Sequence, residues 1–216
     1  MRGWEAHLDR LVCDTGSLFD RAVAREEVAA AVRRALAGVP CPILARVAIT
    51  AGDHALARPG GSELRITVTT RPVHDDPAPL AVVTAEHRRA LPRIKHLGIT
   101  PELLVRRRAQ QAGYDDALLV ADGLVSEGPT WSLVLLLDGA LVSPSGALPS
   151  VTVGLLSRAR PIDRREVTTD ELTKAEAAVA VNAGWGVRPI AAIDDRRLPG
   201  VLHLDTAYLG IARDPT

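Results

Sequence analysis

An α/β fold (α+β, in two domains) is what this sequence of 216 residues predicts. Three observations point to it. Two amphipathic helices and two alternating strands come first. A polar, proline-rich stretch, PVHDDPAP (72–79), then interrupts the pattern. Beyond it, strands, helices and Asp-Gly turns alternate towards the end of the chain. The boundary falls in that stretch, giving a smaller domain over 1–76 and a larger one over 77–216.

Each element has its own justification. Trp4, Leu8, Leu11, Thr15 and Leu18 recur at steps of three and four, the spacing of one helix face. A second helix runs over about 25–37, with Val28, Ala31, Val32, Ala35 and Leu36 on one side, and stops at Gly38 and Pro40. PILARVAIT (42–50) and SELRITVTT (62–70) alternate as strands around a loop holding Arg58-Pro59-Gly60-Gly61. LAVVTA (80–85) opens the second half as a strand. Thr100-Pro101 predicts a helix start, threonine capping and proline in the first helical position, and that helix ends at Gly113. ALLVA (117–121), Asp122-Gly123 and LVSE (124–127) form strand, tight turn and antiparallel return. WSLVLLL (131–137), almost continuously apolar, belongs in the centre of a sheet and is turned by Asp138-Gly139. VGLL (153–156) starts a helix after Ser150-Val151-Thr152, and a further helix covers about 169–178. AVAVNAGWGVRPIAAI (178–193) is a strand, a glycine-rich turn and a strand. Leu204, Tyr208 and Ile211 mark a short C-terminal helix.

Composition narrows the function. Acids and bases balance at 26 each, so no long-range field recruits nucleic acid or an anionic membrane. No apolar run approaches the roughly 20 residues that span a bilayer. MRGWEAHLDRL carries charge where a signal peptide has its apolar core. Cys13 and Cys41 lack metal-ligand spacing and are expected as unpaired thiols, small buried hydrophobes in a cytoplasmic protein.

Only two lysines, Lys95 and Lys174, occur among the 26 basic residues. Surface sites tolerate arginine for lysine, because either supplies a solvated positive charge. A Schiff-base site does not, since guanidinium stays protonated and cannot serve as the amine nucleophile. A lysine kept in such a chain is therefore a candidate for chemistry. Lys174 lies on a polar helix pattern and reads as a solvated charge. Lys95 is flanked by Ile94, Leu97 and Ile99, just before a helix, and the acid Glu127 ends the hairpin that follows that helix. An amine and a carboxylate on neighbouring elements are what a pyridoxal phosphate enzyme requires.

IKHLG (94–98), GYDDALLVADGLVSEG (113–128) and LPSVT (148–152), in that order and spacing, resemble the class IV aminotransferase family. That family contains branched-chain and D-amino-acid transaminases and aminodeoxychorismate lyase, all of pyridoxal phosphate fold type IV. The resemblance extends from HLDRL (7–11) to GVRPI (186–190). It implies pyridoxal 5'-phosphate as cofactor, a small-molecule amino substrate and a homodimer. It further implies that Lys95 forms the Schiff base and then transfers the substrate proton, and that Glu127 pairs with the pyridine nitrogen. Arg10, Val151, Thr152, Ala183 and Gly184 would hold the phosphate.

Several positions depart from the family pattern. Ser132, preceded by Trp131, replaces an asparagine, Ser150 a glycine, Ala183 a threonine, and Thr100 the tyrosine of branched-chain transaminases. Asn182-Ala183 matches the lyase branch instead. Met1 falls almost on the first helix, where family members carry a preceding β-hairpin. The resemblance thus leaves three readings. They are transamination, an elimination giving 4-aminobenzoate and pyruvate, and a degenerate relative that keeps the fold as a binding or partner subunit.

Overall fold

The computed structural model describes residues 3–52, 63–73 and 78–204. Residue contacts group the chain into a unit over Gly3–His74 and a larger unit from Asp75 onward.

In the smaller unit, helices α1 (Trp4–Phe19) and α2 (Arg25–Leu36) pack on an antiparallel pair, β1 (Ile43–Ala51) and β2 (Leu64–Pro72). Leu8, Val28 and Val32 of the helices are buried against Val47, Ile49, Ile66 and Val68 of the strands. Thr15, counted in the apolar stripe, is buried because its hydroxyl fastens the connection: Oγ1 accepts the Val23 N–H at 3.0 Å. The loop with Arg58-Pro59-Gly60-Gly61 lies outside the described residues.

The larger unit is built on one mixed sheet. Its strands are β3 (Leu80–Glu86), β4 (Asp116–Ala121), β5 (Leu124–Val125), β6 (Ser132–Leu137), β7 (Ala140–Pro144), β8 (Asp163–Arg165), β9 (Ala177–Asn182), β10 (Gly186–Ile193) and β11 (Arg196–Arg197). Their order is β5-β4-β3-β10-β9-β6-β7-β8, with β11 paired to β10. Helix α3 (Thr100–Gln111) makes the crossover between the parallel strands β3 and β4. Two short helices, α4 (Val151–Leu156) and α5 (Thr169–Leu172), complete the unit.

The central strands are buried on both faces, which is why they read as unbroken apolar runs rather than alternating ones. Leu118, Leu133, Leu135, Ala178 and Ala180 belong to one core cluster. Val134, Val179 and Val181 face the other way and meet Val153 and Leu156 of α4. At the tips, Asp122-Gly123 and Asp138-Gly139 take positive φ at both residues, as tight hairpins require.

The structure revises two expectations and adds strands that the sequence did not suggest. Thr100 is already helical rather than a cap, because the Leu103 N–H bonds back to Ile99 C=O at 3.0 Å and makes Ile99 the cap. The helix expected over 169–178 is a single turn. A capping box between Thr168 and Glu171 starts it, but Ala177 already enters β9. Alanine favours helix locally, yet between β6 and β10 the run 177–181 is wholly buried, and tertiary burial overrides propensity. Strands β7 and β8 were not anticipated. The C-terminal helix falls outside the described residues except at Leu204, which is not helical.

Leu118, fully buried between β3 and β5, tests this core. Leu118→Ala is expected to lower unfolding free energy by about 2–5 kcal/mol in a urea titration followed by circular dichroism.

Candidate functional site

Lys95 lies in the irregular connection between β3 and α3, and its side chain is exposed. Glu127 lies just past β5 and is buried, at 4% exposure. A bulge turns it. The Ser126 N–H bonds Leu119 C=O, while the Leu119 N–H bonds Glu127 C=O, so two residues stand opposite one. A displaced register of this kind re-aims a side chain that plain alternation would direct elsewhere.

Burial pushes the Glu127 carboxyl up from the usual carboxylate range, because removal from water disfavours the charged form. Four things oppose that push: the Arg89 charge, a hydrogen bond from the Leu148 backbone, a hydrogen bond from Arg89 and the nearby charge of Lys95. The amine and the acid are thus close enough to act on one another electrostatically. The Leu148 contact also ties the acid to the LPSVT segment.

On that segment Ser150 caps α4 through its hydroxyl, which accepts the Val153 N–H at 3.3 Å. A helix start leaves its first amides, here those of Val151 and Thr152, without intrahelical acceptors. Thr152 is buried and Val151 half-buried. The glycine-rich turn adjoins the acid's own loop, since Asn182 Nδ2 reaches Thr130 C=O at 3.4 Å. Asn182 Oδ1 accepts the Gly184 and Trp185 amides at 2.8 and 3.0 Å, and Ala183 is exposed. Arg10 is half-buried on α1 of the smaller unit.

Lys95, Glu127, the entry to α4 and the Asn182 turn therefore converge within the larger unit. The donor set suits a pyridine aldehyde phosphate: an amine, a buried acid and backbone amides at a helix start. Among the described residues, His96 Nε2 beside the lysine and Trp185 Nε1 in the turn are buried without hydrogen-bond partners. Polar atoms of that kind are rare in a finished interior and mark a place where a ligand can complete the network.

A search of curated proteins found none that matches. The family model for amino-transferase class IV matches residues 1–193. The chain belongs to that family. It is accordingly a pyridoxal 5'-phosphate enzyme of the class IV aminotransferase type, with the fold type IV architecture. Among solved structures, the fold IV transaminase CpuTA1 from Curtobacterium pusillum is 27% identical, covering 93% of this chain and 78% of its own, with a TM-score of 0.77. A 4-amino-4-deoxychorismate lyase candidate from Legionella pneumophila is 19% identical over 93% of this chain and 80% of its own, TM-score 0.79. The branched-chain aminotransferase of Thermoproteus uzoniensis is 21% identical over 91% and 73%, TM-score 0.80. No helix among the described residues is long and apolar enough to cross a membrane.

Sequence reasoning missed the residues that hold Glu127 in place. Arg89 is nearly buried and donates from Nε to Glu127 Oε1 at 2.8 Å and from Nη2 to Pro129 C=O at 3.1 Å. A second strut grips the same loop. Arg106 of α3 binds Asp116 through both carboxylate oxygens, at 2.9 and 2.8 Å, and reaches the Thr130 hydroxyl at 2.7 Å. Trp131 Nε1 donates to the same Asp116 at 2.7 Å. Its ring then lies on Gly128, where a Cβ would come within 1.9 Å of Trp131 Cε2. The indole thus requires glycine beside the acid.

Gly128→Ala is expected to destabilise the fold by about 1–3 kcal/mol through this overlap. Removing the ring with Trp131→Leu should erase most of the added cost of the alanine. A double-mutant cycle in urea would reveal the coupling, and purely additive effects would contradict the contact.

Proposed function

We propose that this enzyme transfers the amino group of a small amino-acid-like substrate, with Lys95 as the lysine that anchors the cofactor covalently. The observation that carries this reading is the buried Glu127 carboxylate within electrostatic reach of Lys95 and hydrogen-bonded by the backbone of Leu148. When bound, the cofactor supplies an electron sink for the carbanion left by loss of the substrate's α-proton.

The protein's own groups have distinct tasks. Lys95 Nζ would be the group that moves the substrate's α-proton. Glu127 would accept a hydrogen bond from the ring nitrogen and favour its protonated form. Val151 and Thr152 offer backbone amides, and Thr152 its hydroxyl, to the phosphate. Ala183 and Gly184 would contribute from the second turn, whose shape is held by the Gly184 N–H donating to Asn182 Oδ1. Arg10 supplies the fixed positive charge. The protein works as a homodimer of two-domain subunits in the cytoplasm, a reducing setting that suits two free cysteines, which are exposed and not buried as the sequence suggests.

Elimination of the aminodeoxychorismate lyase kind begins with the same proton removal. Asn182, matched to the lyase branch and bound to the acid's loop, keeps that reaction as the alternative.

Reconstituted protein should show a visible absorption band from the lysine-bound cofactor, and Lys95→Ala should lose it. A wild type without the band refutes the cofactor assignment and favours a non-catalytic relative. Keto-acid-dependent amino transfer would establish the proposed reaction, whereas release of pyruvate and 4-aminobenzoate would replace it with the elimination.

A further inference from the structure

Glu127 and Glu102 share one guanidinium. Arg89, 10% exposed, holds Glu127 Oε1 at 2.8 Å through Nε, while its Nη1 lies 3.8 Å from Glu102 Oε1. Glu102, on the inner side of α3, is 2% exposed. Its Oε1 also meets His87 Nε2 at 3.1 Å, and its Oε2 is buried with no hydrogen-bond partner. Reading outward from the acid, the order is Lys95 beside Glu127, then Arg89, Glu102 and His87. Two buried carboxylates thus flank a single obligatory cation.

We propose that Arg89 is a positioning residue that holds Glu127 in place as a carboxylate, and that Glu102 sets how much of the Arg89 charge Glu127 receives. This rests on the reading of Glu127 as the partner of the cofactor's ring nitrogen. A carboxyl group taken from water favours its neutral form, and a neutral acid leaves the shared proton on its own oxygen rather than on the ring nitrogen. An opposite charge at hydrogen-bond distance reverses that preference. A like charge on the far side of the same guanidinium weakens the reversal. The grip on Pro129 C=O adds direction, because one planar fork fixes both the acid and the chain two residues beyond it.

Opposite responses in two variants separate this role from general support of the fold. In cofactor-free protein carrying carboxyl-13C glutamate, with the Glu127 signal assigned from Glu127→Gln, the titration midpoint of Glu127 should rise by about 1–3 pH units in Arg89→Met. Arg89→Lys should keep it close to wild type. In Glu102→Gln the midpoint should fall, since Arg89 then serves one acid. With 15N-labelled pyridoxal phosphate bound, the ring-nitrogen signal should move from its protonated position towards the unprotonated one in Arg89→Met and hold in Arg89→Lys and Glu102→Gln.

An unmoved midpoint in Arg89→Met, an unmoved ring-nitrogen signal in that variant, or a midpoint that stays or rises in Glu102→Gln overturns the proposal. Should Arg89→Met fail to fold, the Glu102→Gln and Arg89→Lys titrations decide it alone. A wild type that binds no cofactor would overturn the functional reading instead, and the carboxyl titration still decides the Arg89–Glu127 pairing.

Discussion

A carboxylate taken out of water must be given a cation and hydrogen bonds, and the larger unit is arranged around meeting that demand at Glu127. The acid is delivered inward by a bulge opposite Leu119. Arg89 meets it from the connection after β3, and the Leu148 backbone from the approach to α4. Those two contacts alone join three segments separated in sequence. Breaking such a buried pair on one side leaves an uncompensated charge, which costs about 3–5 kcal/mol. The acid therefore acts as a structural tie as well as a candidate site residue, and the lysine loop, the hairpin and the 148–152 segment are held together through it.

The same demand explains an inverted helix. Along α3, Glu102, Arg106 and Ala109 lie at steps of four and three and so share one face. Glu102 and Ala109 are buried, while Leu103 and Leu104 remain 43% and 45% exposed. An ordinary amphipathic helix would turn its leucines inward. Here the inner face carries one acid for Arg89 and His87 and one base for Asp116, so α3 docks onto the sheet by paired charges at one end. Near its C-terminal end Ala109 packs with Ala117 and Leu119, where apolar contact takes over.

That inversion marks where the sequence stopped being informative. Strands in the middle of the sheet were legible because burial on both faces demands unbroken apolar residues, and the Asp-Gly turns because positive φ restricts residue choice. Lys95 stood out as a candidate because arginine cannot replace an amine nucleophile, and Glu127 because it closes a motif. Arg89 carried no such signal, being one arginine in a chain whose basic residues are nearly all arginine. Glu102 and Arg106 carried none either, since period alone cannot say which side of a helix finds its charges paired. The helix expected over 169–178 overran for the converse reason: local preference carried it past Leu172, whereas the strand expected from 178 begins at Ala177, in the slot between two strands.

Three of the residues that mark departures from the family pattern, Ser150, Trp131 and Ser132, acquire local explanations in three dimensions. Ser150, standing for a glycine, has φ −86° and ψ 122°, a conformation that needs no glycine, and its hydroxyl closes the start of α4. Trp131 fills the space above Gly128 and hands its indole N–H to Asp116. Ser132, in the place of an asparagine, is buried at the beginning of β6, where it pairs with Val181 and forms a bridge with Glu127. Each substitution thus takes up a contact that steadies the acid's loop or the phosphate segment. A chain drifting away from its chemistry would have no reason to reinforce those two places. That these three residues gather there, and are satisfied there, argues that the acid's loop and the start of α4 are still being held to a shape.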